Sequence, residues 1–243
     1  MKLTIGHMYP DLLNLYGDRG NILTLAYRLQ ARNIGYEIKE IKVGQKINFD
    51  DIDILFLGGG SDREQKIVAE DLSKRRESLY KAVEDGMVLL SICGGYQLLG
   101  KYYKTGTGEI IPGLGILDIW TEAGNKRLIG NIIVETEIKN KKTTLVGFEN
   151  HSGKTYLGRN VKPLGRVLSG NGNNGEDRLE GAVYKNAYGT YLHGPILPKN
   201  PLFSDLLIEK ALKRKYGETS LKPLEDELEN MAHMSIIKRF LNR

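Results

Sequence analysis

The sequence of 243 residues contains one cysteine, Cys93, and four histidines. A single thiol cannot form an internal disulfide, and without a CxxC pair or a Cys/His cluster no metal site is indicated. No stretch approaches the roughly 20 apolar residues that a transmembrane helix needs, and the N-terminus lacks the apolar segment of a signal peptide. We therefore expect a cytoplasmic protein with no metal and no membrane span.

The charge is only weakly biased, because 35 Lys and Arg residues face 30 Asp and Glu residues, for a net charge of +5. The basic residues are scattered among acidic ones, and the clustered basic stripe that is typical of nucleic-acid binding is missing. With 40% hydrophobic and 27% charged residues, the composition is that of an ordinary globular protein. We expect no nucleic-acid partner and a single domain over residues 1–243.

Strand and helix patterns alternate through the first 100 residues. The strand-like segments are 2–9, 36–43, 52–57 and 87–92. Helical periodicity covers 18–32 and a stretch that ends near 85 with Gly86 as its C-cap, and another helix begins at 94. This alternation predicts an α/β fold with an open, mostly parallel, flavodoxin-like sheet that carries helices on both faces.

The second half has a different pattern, with short strand-like segments and polar connections. These segments are 131–138, 143–148, 181–185 and 188–193, with a turn-rich loop at 170–177. They predict antiparallel strands added to the parallel sheet. Helical patterns return at 201–216 and 223–242, so that 218–243 is expected to form a C-terminal helix. Its apolar stripe could pack on the core of the chain or face a partner protein.

The segment 87–100 carries the strongest chemical signal. An apolar strand ends at Cys93, Gly94 and Gly95 follow, and an amphipathic helix begins. In such a strand–turn–helix elbow a nucleophile lies on a tight turn above the sheet edge, and the glycines relieve crowding. A helix N-terminus also stabilises a thiolate. A lone cysteine is ordinarily a small buried hydrophobe, but this context favours a nucleophile.

A nucleophile for acyl transfer needs an oxyanion hole, and a second glycine-rich turn could supply it. The strand 52–57 runs into the triple glycine 58–60, whose N–H groups would lie at the same sheet edge as Cys93. Gly60 and Gly94, the residue directly after the nucleophile, are the candidate donors. Such a turn can instead cradle phosphate, but neither GxGxxG nor GxxxxGK[ST] occurs here.

Two histidines are candidates for the general base. His193 follows a strand pattern and so lies at a strand end, and His151 lies beside Glu149 and Asn150. Either imidazole could take the thiol proton. Sequence spacing does not choose between them, because catalytic partners meet in space.

The elbow LSICGGYQLLG is similar to the G-x-C-x-G-x-Q pattern of class I, triad-type glutamine amidotransferases. Cys93, Gly95 and Gln97 match this pattern, whereas Ser91 stands where the family usually has glycine. The blocks GGGSDREQ at 58–65, GFENHSG at 147–153 and GTYLHGPIL at 189–197 resemble the branch with the amidotransferase domain of cobyric acid synthases. The resemblance implies the class I glutamine amidotransferase fold.

Within that branch, NLYGDRGN at 14–21 and NKRLIGN around Arg127 look like the glutaminase subunits of lipid II isoglutaminyl synthases. No fused synthetase domain is evident, unlike in cobyric acid synthases. The resemblance implies that Cys93 attacks the side-chain amide of L-glutamine to give a thioester and ammonia, with His193 as base and then acid.

The same resemblance assigns the remaining site residues. Many class I enzymes have a glutamate two residues after the histidine, but Pro195 stands there. This leaves a Cys–His dyad, or a recruited orienting carboxylate such as Glu149. Gln97 would line the glutamine pocket, the alternative being an exposed helix residue. Arg127 would bind the α-carboxylate of the substrate, the alternative being a surface ion pair.

The implied partner is a Mur-ligase-like subunit that forms a heterodimer with this chain. That subunit would use ATP and Mg²⁺ to activate the D-glutamate α-carboxylate of lipid II, and ammonia would convert it to D-isoglutamine. The resemblance implies no cofactor in this chain. Alternatives are a glutaminase for a corrinoid or other small-molecule amide synthase, a cysteine peptidase, or a non-catalytic binding module.

Overall fold

The computed structural model of the chain describes residues 1–14, 17–217 and 220–241. In chain order the elements are β1 (Lys2–Met8), α1 (Arg19–Gln30), β2 (Gly35–Ile41), β3 (Ile54–Leu57), α2 (Asp62–Ser73), α3 (Arg76–Glu84), β4 (Val88–Ile92), α4 (Gly94–Leu98), β5 (Tyr102–Lys104), β6 (Ile110–Pro112), β7 (Ile119–Ile138), β8 (Lys141–Leu157), β9 (Gly165–Ser169), β10 (Leu179–Glu180), β11 (Ala182–Tyr184), β12 (Ala187–Thr190), α5 (Pro201–Tyr216) and α6 (Glu227–Leu241).

The first sheet has the strand order β11-β12-β4-β3-β1-β2 and is parallel except where β11 pairs with β12. Every residue of β3 and β4 is buried, as expected for strands that are covered on both faces. Helices α1 and α5 pack on one face, and α2, α3 and α4 pack on the other. The parallel strands follow the flavodoxin-like order, which confirms the predicted fold class.

The second sheet has the order β10-β9-β7-β5-β6, with β8 pairing β7 in antiparallel fashion. The strands predicted at 131–138 and 143–148 are only the parts of β7 and β8 nearest the turn that joins them. The full strands are 20 and 17 residues long. The alternating pattern is lost before 131 because the ladder shifts register between Ala123 and Leu128. The parts of β7 and β8 that lie far from this turn, which the sequence does not predict, contain Arg127 and His151 and border the site described below.

The predicted helical stretch that ends near 85 is two helices, α2 and α3. Helix α2 begins with a capping box in which Ser61 and Glu64 satisfy each other's backbone N–H groups. Helix α3 ends at Glu84, and Gly86 follows with φ 88°, the left-handed conformation expected of a glycine just after a helix. In the described part of the chain, no helix is long and apolar enough to span a bilayer.

The C-terminal helix begins later than the sequence predicts, at Glu227, and residues 218–219 and 242–243 of the predicted segment lie outside the described residues. None of its residues is buried, and Leu228, Met231 and Met234 are exposed on its apolar stripe. Of the two alternatives left open for the stripe, packing on the core of the chain does not hold for these three residues. The helix instead touches the second sheet through His233, which hydrogen-bonds Thr144.

A buried arginine fixes the chain segment that leads into α6. Arg28, on α1, is 1% exposed and binds Asp205 of α5 at 2.7 Å and Asp226 at 2.6 Å. Arg32 adds a second contact to Asp205 at 2.7 Å and also binds the carbonyl of Lys222. The two guanidinium groups neutralise the two carboxylates, whose charges would otherwise be poorly solvated in the protein interior.

We predict that Arg28→Met lowers the free energy of unfolding by about 3 kcal/mol, because Asp205 and Asp226 are left without their main counter-charge. Urea denaturation checks this result. The matched control is Lys2→Met, which breaks the exposed pair with Glu37 and should leave the urea midpoint within experimental error. An equal shift in both variants would contradict a special role for the buried arginine.

Candidate active site

Cys93 lies on the turn between β4 and α4, at the carboxyl end of the central parallel strands. Its φ of 50° and ψ of −107° are rarely adopted by a residue with a side chain. The backbone is held there by the hydrogen bond from Cys93 N–H to the carbonyl of Thr190, at 2.9 Å. Cys93 is half-buried and packs against the hydrophobic clusters on both faces of the first sheet. This is the strained elbow geometry that exposes a nucleophile.

The two glycine-rich turns approach each other at this edge of the sheet. The N–H of Gly95 donates to the carbonyl of Gly58 at 3.1 Å, and a side chain at Gly95 would lie 2.7 Å from that oxygen. A Cβ atom at Gly94 would lie 3.0 Å from the backbone nitrogen of Gly60. This contact therefore requires glycine at positions 94 and 95, whereas at Gly58 and Gly60 a side chain would instead collide with Leu13.

The same contact brings the two candidate oxyanion donors together. Neither the N–H of Gly60 nor that of Gly94 has a hydrogen-bond partner among the described residues. The neighbouring N–H groups are occupied, since that of Gly59 donates to Asp18 and that of Ser61 donates to Glu64. The turn thus leaves free the donors that an oxyanion would require.

His193 lies just after β12, and its backbone is fixed by strand β8. Its N–H donates to the carbonyl of Phe148 at 2.8 Å, and the Phe148 N–H donates back at 3.1 Å. The imidazole is 1% exposed. Its Nδ1 lies 3.4 Å from Oδ1 of Asp18, and Cε1 of the ring and Cβ of Cys93 both border Gly59.

The charge environment of His193 favours its protonated form. Burial alone would lower the pKa of the ring, but the adjacent Cys93 and Asp18 outweigh this effect and raise the pKa to about 10. At neutral pH the ring is therefore protonated on both nitrogens, and its Nδ1–H faces the Asp18 carboxylate. In general, an imidazolium beside a cysteine favours the thiolate, which is the nucleophilic form of that residue.

Gly59 lies at the centre of this group. A Cβ atom built on it would lie 3.2 Å from Cε1 of His193, 3.3 Å from Cβ of Cys93 and 3.4 Å from Oδ2 of Asp18. The three side chains thus surround one glycine, and Oδ2 of Asp18 accepts its N–H at 2.9 Å. The arrangement is a Cys–His–Asp triad in which the carboxylate also holds the glycine turn.

Asp18, which lies within the quoted motif NLYGDRGN, was not identified as a site residue from the sequence. Glu149 was the expected orienting carboxylate. Its two oxygens instead accept hydrogen bonds from Asn171 and Gly172. The prediction for Glu149 is therefore corrected in favour of Asp18. Pro195, at the position where many class I enzymes have glutamate, sits against Gly20 near the start of α1. That contact lies two residues after Asp18 in the chain.

His151, the alternative general base, is near the triad but has a different environment. Its ring stacks on Tyr191 with the ring centroids 3.6 Å apart, and its Nδ1 lies 2.7 Å from the carbonyl of Gly153. Because a carbonyl only accepts, Nδ1 must carry the proton. Burial lowers the pKa of His151 to about 4. The ring is therefore neutral, and its contacts do not include the carboxylate that orients His193.

A pocket of about 520 Å³ opens onto Cys93. Gln97 lines it and is 4% exposed, so the alternative of an exposed helix residue is wrong, and its Nε2 donates to the hydroxyl of Tyr191 at 3.0 Å. Arg127 lies at the exposed rim of the pocket and hydrogen-bonds Asn150. Its guanidinium borders the pocket, where it could meet an anionic group.

A larger surface depression, about 1180 Å³, lies at the opposite end of the parallel strands. It contains none of the candidate residues, and it includes two ion pairs, Lys215 with Asp53 and Arg214 with Asp85. The candidate chemistry is confined to the pocket at Cys93. Among the described residues, no group of three or more His, Cys, Asp or Glu is placed to hold a metal ion.

Residues 4–201 match the family of CobB/CobQ-like glutamine amidotransferase domains. The chain belongs to this family. The match spans the elbow, the triple glycine, Asp18, His151 and His193, and it confirms the family that the sequence motifs indicate.

Similar curated proteins narrow the position within the family. The chain is 50% identical over 238 residues to the lipid II isoglutaminyl synthase (glutamine-hydrolyzing) subunit GatD of Staphylococcus aureus, covering 98% of this chain and 96% of that protein. It is 44% identical to the protein of the same name from Streptococcus pneumoniae, covering 93% and 87%. A cobyric acid synthase of Clostridium botulinum is 29% identical, and only 40% of its length is matched.

Solved structures agree on the fold at much lower sequence identity. The structure of PurLQS from Thermotoga maritima includes a chain that aligns with a TM-score of 0.63 at 18% identity, covering 88% of this chain and 99% of that one. A crystal structure of a glutamine amidotransferase aligns with a TM-score of 0.56 at 21% identity, covering 85% and 98%.

We predict that Asp18→Asn lowers kcat for amide hydrolysis by about 100- to 10,000-fold, because the imidazole loses the charge that orients it. The pKa of His193 should fall as well, since a charge that raises it is removed. Ammonia release and an NMR titration of the ring measure these two effects. Asp11→Asn, in the same N-terminal segment but paired at the surface with Lys42, is the control and should behave as wild type.

Proposed function

We propose that this chain is a glutaminase subunit that hydrolyses L-glutamine to L-glutamate and ammonia, and that the ammonia serves lipid II amidation. The observation that carries the proposal is the surroundings of Cys93. This residue lines a pocket large enough for an amino acid, beside the protonated imidazole of His193 and close to the unpartnered N–H groups of Gly60 and Gly94.

The first half-reaction forms a thioester. The Cys93 thiolate attacks the side-chain carbonyl carbon of glutamine, a C–S bond forms, and the carbonyl oxygen becomes an oxyanion that Gly60 and Gly94 stabilise. His193 then donates its proton to the amide nitrogen, the C–N bond breaks, and ammonia leaves.

The second half-reaction restores the enzyme. His193, now neutral, takes a proton from a water molecule that attacks the thioester carbonyl. The C–S bond breaks, glutamate is released, and the sulfur leaves as a thiolate beside a protonated imidazole. The starting ion pair is thereby regenerated, and Asp18 keeps the ring oriented in both halves of the cycle.

The identity of the ammonia acceptor rests on sequence similarity. The two relatives that match nearly the whole chain both carry the name of a lipid II isoglutaminyl synthase subunit, whereas the cobyric acid synthase is matched over less than half its length. Because these names describe a subunit, they support an assembly with a second chain. We infer that this second chain is a Mur-ligase-like subunit that forms a heterodimer with the first and uses ATP and Mg²⁺ to activate the D-glutamate α-carboxylate of lipid II. A lone free cysteine is compatible with a reducing compartment, and we propose the cytoplasm as the site of action.

We predict that Cys93→Ala abolishes ammonia release from glutamine while the urea midpoint shows a folded protein, because no other group at the site can form the thioester. His193→Ala should be similarly inactive, since the leaving nitrogen needs its proton. His151→Ala should retain reduced but measurable turnover, because that ring is not part of the triad. Full activity in Cys93→Ala would falsify the mechanism, and an active His193→Ala with an inactive His151→Ala would transfer the base to His151.

We predict that Arg127→Met raises KM for glutamine by about 10-fold with little change in kcat, because the guanidinium would hold the α-carboxylate equally in ground state and transition state. Steady-state kinetics separate the two constants. Lys126→Met, which removes the neighbouring positive charge, is the control for long-range attraction. If both variants raise KM equally, Arg127 makes no specific contact with the substrate.

A further inference from the structure

Gln65 is a buried side chain at the reactive end of the pocket. It belongs to the first turns of α2, directly after the triple glycine, and it is 3% exposed while lining the pocket with Cys93. A Cβ atom at Gly94 would lie 3.1 Å from the amide carbon of Gln65. The Gln65 amide therefore lies beside one of the two oxyanion donors, and the mechanism above gives it no role.

The orientation of this amide follows from its one hydrogen bond. Its nitrogen, Nε2, donates to the carbonyl of Gly60 at 3.3 Å. Only the nitrogen can donate to a carbonyl, so the amide cannot be turned by 180° without losing this bond. Its oxygen, Oε1, is buried and has no hydrogen-bond partner among the residues that the structure describes. A buried acceptor without a donor is costly unless a ligand supplies one.

Glutamine offers two groups of donors to such an acceptor, the α-ammonium group and the NH₂ of the side-chain amide. The pocket has a second buried acceptor, Nε2 of His151, which also lacks a partner in the described chain. His151 lies across from Leu128 in the β-ladder, next to Arg127. It is therefore at the end of the pocket where the α-carboxylate and the α-ammonium group would bind.

The other acceptor is at the oxyanion end. When the glutamine carbonyl oxygen points to the N–H groups of Gly60 and Gly94, its amide nitrogen is attached to the same carbon and lies close by. The geometry points to Gln65 as a specificity-determining residue, whose Oε1 accepts a hydrogen bond from the NH₂ of the scissile amide. This inference rests on the proposed glutaminase function.

Such a contact would separate substrate from product. The side-chain carboxylate of glutamate has no hydrogen to donate, and its negative oxygen would face the lone pairs of Oε1. The same hydrogen bond would fix the rotation of the amide about its C–N bond. The nitrogen could then receive the proton of His193 as the bond breaks.

The test compares two substrates that give the same thioester and then glutamate, but that release different leaving groups, ammonia and methanol. L-Glutamine has N–H donors on its leaving group, whereas L-glutamate γ-methyl ester has an oxygen and a methyl group there. We expect Gln65→Met to lower kcat/KM for glutamine by about 10- to 100-fold, because the N–H loses its acceptor, and to change kcat/KM for the ester less than about 3-fold. Glutamate formation by the full chain measures both reactions.

The alternatives give different patterns. If Gln65 only positions Gly60, or binds the α-ammonium group, both substrates lose activity equally, in Gln65→Met and in Gln65→Leu, and the inference is overturned. Loss of the fold in both variants overturns it too, because the role is then structural. The matched control is Gln30→Met, which replaces an exposed glutamine on α1 and should alter neither reaction. If the wild-type chain hydrolyses neither substrate, the proposed function fails rather than the role of Gln65.

Discussion

The candidate site depends on the two hydrogen bonds of one buried carboxylate. One oxygen of Asp18 faces the imidazole of His193, and the other accepts the N–H of Gly59. The carboxylate thus fixes the proton carrier and the glycine turn relative to each other. Because its charge also favours the protonated ring, it sets the electrostatics of the site as well as its geometry.

The rest of the fold brings the partners of this carboxylate to one place. The carboxyl ends of β3, β4 and β12 meet at the same sheet edge, which is where open α/β sheets bind ligands. Strand β8 of the second sheet then holds the backbone of His193 and supplies His151 three positions after Phe148. The antiparallel sheet therefore forms the wall of the pocket, and its long ladder explains why Arg127 reaches the rim.

The site also shows how glycine composition follows from packing between turns. At Gly94 and Gly95 a side chain would meet the backbone of the glycine turn 58–60, and at Gly58 and Gly60 a side chain would meet Leu13. The exclusion leaves unpartnered N–H groups beside a strained cysteine, which stabilise developing charge without reorganisation. At the other end of the chain, α6 is held through the segment before it by Arg28, while its apolar residues Leu228 and Met231 remain exposed.

The sequence by itself determined the parallel sheet, the elbow at Cys93 and the glycine turn, because each is encoded by local periodicity or by neighbouring residues. The residues alone left His151 and His193 as candidate bases, and the family resemblance favoured His193. Only the tertiary structure decided that Asp18 and not Glu149 orients His193, and that Gln65 presents an unpartnered oxygen to the pocket. The contacts of Asp18 join residues that are 41 and 175 positions apart in the chain, and the role of Gln65 depends on which of its atoms lacks a hydrogen-bond partner. Such distances are fixed only when the backbone is folded.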